Sequence, residues 1–232
     1  MIFTKTIFRL LAFGLVTLSI SLAADDFDGV RGLYLSTDHP TILGMRFDIV
    51  WEGADGFRNE VPVSHNFHSG ERFWLQMDVR TRSWVYVVNR TISGDEKGII
   101  LIREADRTKR PAASERPRLV LGAQALVPGA KRLFPDTGKA LAFDDQTGTE
   151  TLYVILSDHP LGLEHLFDHS GLAHEAHLGE LDDKLLSWSR NATVAVPVEG
   201  AKGFALTDTN AYCVQKRPNE PVMIEITLRH SH

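Results

Sequence analysis

The chain has 232 residues, 43% hydrophobic and 24% charged, a composition that suits one ordinary globular domain and excludes disorder over most of its length. A formal charge of -5, spread along the chain, gives no electrostatic reason to expect nucleic acid or an anionic membrane as partner.

Met1 to Ala23 reads as a secretory signal peptide. Lys5 and Arg9 supply the positive end, Leu10 to Leu22 the apolar stretch, and Ser21-Leu22-Ala23 the small-x-small cleavage pattern. A membrane anchor is the competing reading. It is the weaker one, because the apolar stretch falls short of the roughly 20 residues a spanning helix needs and Asp25, Asp26 and Asp28 follow at once. No cysteine follows the cleavage point to carry a lipid. The expectation is a single domain over 24–232, free of a transmembrane anchor and periplasmic or secreted. The one cysteine, Cys213, lies in a strand-like Ala211-Tyr212-Cys213-Val214 and is expected to be buried and inert.

In chain order, Val30 to Leu35 is a short apolar segment. Met45 to Glu52 alternates cleanly, with Met45, Phe47, Ile49 and Trp51 turned inward, and Gly53-Ala54-Asp55-Gly56 is a tight turn by composition. Residues 70–79 alternate strictly, with Phe73, Leu75, Met77 and Val79 on one face and Arg72, Trp74, Gln76 and Asp78 on the other. Trp84-Val85-Tyr86-Val87-Val88 is apolar on both faces, as a central strand is, and a hairpin with the preceding strand is expected.

Ile99 to Ile102 reads as a strand. Residues 103–118, dense in Arg, Lys, Glu and Asp and broken by Pro111 and Pro117, read as a solvated charged loop, with docking of an anionic partner as the less favoured alternative. Leu119 to Leu121 returns to the sheet, and Leu133-Phe134-Pro135 is an apolar plug. Gly148 to Ser157 has no polar face and ends at Asp158-His159-Pro160, where strand pairing must stop.

Residues 158–190 form a helical, His-rich insertion. Pro160 to Phe167 has a short helical look, and Leu178, Leu181, Leu185 and Trp188 recur at spacings of three and four, so Leu178 to Trp188 is an amphipathic helix covering a sheet face or edge. Thr193 to Val196, Phe204 to Leu206 and the alternating Val222, Ile224, Ile226 and Leu228 resume the strands. Many short strands and one late helix imply a mainly β fold, an antiparallel β-sandwich or open barrel with one or two short helices.

Phe67-His68-Ser69-Gly70-Glu71-Arg72-Phe73, Ser83 to Asn89, Leu133-Phe134-Pro135 and Gly148 to Val154 carry a resemblance in order and spacing over roughly half the expected mature chain. They resemble the bacterial domain of unknown function numbered 4384, in its exported single-domain form. The resemblance implies an exported or membrane-associated bacterial protein, a turn role for Gly70 and Gly148, a structural role for Glu150, and no catalytic residues. It does not reach the His-rich stretch.

The sharpest chemical constellation is His165, Asp168, His169, His174 and His177. On a helix, His165 and His169 share a face at a spacing of four and His174 and His177 at a spacing of three, which would present imidazoles to zinc. His174-Glu175-Ala176-His177 is one residue short of the helical metalloprotease motif, so that chemistry is not assigned. His230 and His232 are expected to fray. A glycosidase needs carboxylates several ångströms apart across a cleft, so sequence neighbours such as Asp144-Asp145 and Asp182-Asp183 are no evidence for one. No Gly-x-Ser-x-Gly elbow or phosphate-cradling loop is present.

Trp74 shares its face with Arg72 and Gln76. If that face is outward, an aromatic ring stands beside donors and acceptors as at a protein or sugar contact; the alternative is that the amphipathic helix covers it. The expected function is therefore a non-enzymatic cell-envelope module that binds an envelope or secreted protein, with no cofactor. The alternatives are a zinc hydrolase using the His165–His177 cluster and a glycan-binding sandwich.

Overall fold

The computed structural model describes residues 34–35, 42–93, 116–135, 139–143, 148–195 and 211–231. The signal-like Met1 to Ala23, the strand Ile99 to Ile102, almost all of the charged loop 103–118, and Phe204 to Leu206 lie outside these residues.

The strands are β1 (Gly44–Glu52), β2 (Arg58–Val61), β3 (Asn66–His68), β4 (Arg72–Val79), β5 (Ser83–Ser93), β6 (Arg118–Leu126), β7 (Arg132–Phe134), β8 (Leu141–Ala142), β9 (Gly148–Ser157), β10 (Ala192–Ala195), β11 (Ala211–Gln215) and β12 (Val222–Ser231). An α-helix, α1 (Leu178–Ser189), follows two short 3-10 turns at Leu163–Leu166 and Glu175–His177. The first sheet runs β10-β11-β1-β4-β7, with β2 paired to β1 and β8 to β4; the second runs β3-β12-β9-β5-β6. Pairing is antiparallel except between β3 and β12. The fold is mainly β and sandwich-like, and the two sheets do not close into a barrel.

Period-two alternation explains the main core. From the first sheet Met45, Phe47, Ile49, Phe73, Leu75, Met77, Val79 and Cys213 point inward; from the second come Val85, Val87, Leu152, Val154, Leu156, Ile224, Ile226 and Leu228. Burying each large apolar side chain there stabilises the fold by roughly 1.5–3 kcal/mol before its ordering cost. Burial pushes the Cys213 thiol up to about 12, so it stays a protonated, unreactive filler.

The expected hairpin between β4 and β5 does not form. Both strands exist at the expected places, but Arg80 to Arg82 carries the chain from the first sheet to the second, where β5 lies between β9 and β6. The reason is β5 itself. Val85 and Val87 fill the sandwich, while Tyr86 and Val88 need a second apolar layer on the other side.

That layer is residues 161–188. Leu163, Leu166, Phe167, Ala173, Leu181 and Leu185 pack on Tyr86, Val88, Tyr153, Ile155 and Met223. The Tyr86 hydroxyl accepts a hydrogen bond from the Leu161 amide at 2.6 Å, which fixes where the layer begins. Gly171 (φ +80) lets its carbonyl take the Leu119 amide of β6 at 2.7 Å; a β-carbon there would stand 2.7 Å from the Leu119 carbonyl oxygen. The far end is held by buried Asn191, whose amide group donates to the carbonyls of Arg217, Glu220 and Pro221 and whose oxygen accepts the Arg217 amide at 2.7 Å. No described helix is long and apolar enough to cross a membrane.

Candidate functional site

The outer face of the first sheet is set by register. On β1 the outward row is Arg46, Asp48, Val50 and Glu52; opposite it on β4 stand Asp78, Gln76, Trp74 and Arg72. On the other edge of β1, Val50 and Glu52 face Glu60 and Arg58 of β2. Direct cross-strand neighbours are close enough to pair, so opposite charges meet across the sheet. Arg46 bridges Asp78 at 3.1 Å, and Glu52 takes Arg72 at 2.9 Å and Arg58 at 3.4 Å. Gln76 donates to Glu60 at 2.9 Å and reaches Asp48 at 3.4 Å, while Lys131 stands 3.9 Å from Glu60.

Trp74 sits beneath this ladder and is 0% exposed. The expectation of an exposed ring is thereby corrected, and so is the alternative that the amphipathic helix covers it, since α1 packs on the other sheet. Its cover is local. The Arg58 guanidinium lies 4.0 Å from the ring centroid and that of Arg72 5.5 Å away, and the indole N–H donates to the Lys139 carbonyl. Arg58, Arg72 and Glu60 remain exposed above the ring, and Gln76 is half-buried. Trp74 therefore acts as a platform that orients two arginines, and it offers no free face for a sugar to stack on.

Asp48 is buried in the same face. Burial and, next, the Glu60 carboxylate raise its pKa above the usual carboxylate value, against the Gln76 hydrogen bond. A charge is held there at some cost.

The His-rich stretch is arranged differently from the expectation. His165 and His169 do not share a helix face, because the 3-10 turn ends at Leu166 and Phe167 is extended. His169 is exposed in a turn closed by Asp168, whose carboxylate accepts from the Ser170 hydroxyl at 2.7 Å, the Ser170 amide at 2.8 Å and the Leu172 amide at 3.0 Å. The Ser170 hydroxyl bond and the Leu172 amide hold that carboxyl down at about 2, so Asp168 is a turn acceptor.

His165, His174 and His177 do come together. The His177 ring centroid lies 6.0 Å from that of His165 and 6.0 Å from that of His174. Glu180 of α1 joins them, its carboxylate 3.9 Å from His165 Nε2 and 3.6 Å from His177 Nδ1. As the side chains stand, no group of three or more His, Cys, Asp or Glu among the described residues is arranged to hold a metal ion. His174 precedes a 3-10 turn and not a zinc-binding helix, so the geometry of a helical metalloprotease is missing.

His230 is 5% exposed and stacks on Phe143 at 4.7 Å, a correction to the expected fraying; pairing of β12 with both β9 and β3 holds it. It ends a row of rings that begins at Trp51 and continues through His65 and Phe67 to Phe143. Burial lowers the His65 pKa below its ordinary value.

Sequence reasoning missed Arg58, Glu52 and Glu180. The first two became visible only with the register of β2 against β1, but Glu180 stands three residues after His177 inside the expected helix, a spacing that was readable. Comparisons of the chain with family models, with curated proteins and with solved structures returned no match.

Proposed function

We propose that the chain is an exported, non-enzymatic domain of the bacterial cell envelope that works by binding another envelope or secreted protein, and that it is a member of the unknown-function family 4384. The reading is supported above all by the outer face of the first sheet, where charges fixed by strand register stand exposed over a buried tryptophan. Such a face presents donors and acceptors in a preset order at small ordering cost, which is what selective protein contact needs. The sequence supports export through Lys5, Arg9, the apolar stretch and Ala23. The family assignment rests on the motif residues, which fall on the β3–β4 turn, β5, β7 and β9.

The test compares the protein with a variant carrying Arg58→Glu and Arg72→Glu, each immobilised in envelope extract. The expected result is a partner retained saturably by the wild type and lost by a variant whose melting temperature is nearly unchanged. Equal retention by both, or no saturable partner, removes the proposal.

A further inference from the structure

We propose that β2 is a docking edge for a second copy of this chain, the two β2 strands pairing antiparallel about a two-fold axis at Asn59. This contact uses the edge of the first sheet, whereas the contact with an envelope protein uses its outer face.

The backbone of β2 is phased for it. The Gly53 amide donates to the Phe57 carbonyl at 3.0 Å, and the register runs on as Glu52 with Arg58, Trp51 with Asn59, Val50 with Glu60 and Ile49 with Val61. Antiparallel pairs alternate between hydrogen-bonded and non-hydrogen-bonded. Asn59 and Val61 therefore turn their backbone groups to β1, and Arg58 and Glu60 turn theirs to the opposite edge. Among the described residues no strand pairs with that edge, and Arg58, Asn59 and Glu60 are exposed.

The side chains select the partner. A two-fold at Asn59 sets Arg58 of each copy opposite Glu60 of the other, Asn59 opposite Asn59, and Phe57 opposite Val61. Arg58 and Glu60 then exchange both backbone bonds, and Phe57, 70% exposed in the single chain, meets an apolar neighbour. Charges on an edge strand ordinarily discourage pairing. Here their order is its own complement. A slip of two residues either way sets Arg58 opposite Arg58 or Glu60 opposite Glu60, which is destabilising. Within one chain Arg58 already meets Glu52, and Glu60 lies near Lys131, so the charges across the two-fold serve register more than affinity.

A contact of this size is transient, so the purified protein is followed by sedimentation velocity from about 10 μM up to about 1 mM. No extract is used, which keeps the result separate from the fate of the envelope-protein contact. The expected result is a rise from one chain to two with concentration. Arg58→Glu alone or Glu60→Arg alone should weaken pairing roughly tenfold or more, and the two together should restore it. The double variant loses the Arg58 cover of Trp74 as the single one does, so its recovery reports the contact between copies. Under mild oxidation Asn59→Cys should cross-link two chains, because directly opposed non-hydrogen-bonded residues lie about 4.5 Å apart at Cα, within disulfide reach. Arg58→Cys and Glu60→Cys should not, since like positions are then diagonal and about 7–8 Å apart. Asn59→Cys changes one exposed side chain, so it reports even if the charge variants fold poorly. A single chain at every concentration, or cross-linking no better at 59 than at 58 and 60, overturns the proposal.

Discussion

On the second sheet the outward row of Tyr86, Val88, Tyr153, Ile155 and Met223 is apolar and lies under residues 161–188. On the first, the outward row of Arg46, Asp48, Glu52, Arg72, Gln76 and Asp78 is polar and cross-paired, with Val50 and a single large ring sunk into it. The same alternating strand serves both, because the inward row is apolar in each and only the outward row differs. A row that must be buried calls for a third layer, and the chain supplies it with the 158–190 stretch. A row that pairs its own charges calls for no third layer.

Substitutions on the two faces should separate them by size of effect. Ile155→Ala, under α1, removes a side chain that is 0% exposed, between layers that cannot collapse onto it. It should cost about 3–4 kcal/mol in denaturant unfolding. Trp74→Phe keeps a ring under Arg58 but leaves the Lys139 carbonyl without its donor, a change expected to cost about 1–2 kcal/mol. A loss for Trp74→Phe as large as that for Ile155→Ala would mean that the first sheet's outer face is as tightly built as the covered one.

The next two effects are smaller and depend on pH. His65 packs between Trp51 and Phe67, and its folded-state pKa lies below 6.5 because burial disfavours the charged ring. The unfolded chain then takes up the proton first, so stability should fall as pH drops below about 6.5 and toward the folded value. His65→Phe should flatten that part of the profile.

Asp48 has the opposite sign. Its folded pKa is raised above 3.8, so the fold favours the protonated acid and loses that advantage as pH rises through the folded value. Asp48→Asn should therefore melt slightly higher than wild type at pH 7, with the difference vanishing below pH 3.8. A lower melting temperature at pH 7 would show that the Asp48 charge supports the ladder.

Much of this was readable in the residues. The inward rows of β1, β4 and β12, the two-sided β9 and the amphipathic α1 follow from periods of two and 3.6, which local sequence displays directly. Strand partners were not readable, since the alternation of 72–79 marks a strand without saying that β1 and β7 flank it and β5 does not. The cover of Trp74 failed for the same reason: Arg58 is 16 residues away and reaches the ring only across β1. In the His-rich stretch the helix expected to align His165 with His169 stops after one turn, so His165, His174 and His177 come together without His169, and Glu180 stands beside them.

The central claim is that the open face of the first sheet makes the contact and the helical side does not. It is tested most directly by measuring partner retention in envelope extract for Arg58→Glu with Arg72→Glu against Lys184→Glu, a reversal on the exposed side of α1. The account predicts that retention is lost with the first variant and kept with the second. Retention kept with the first and lost with the second would contradict it.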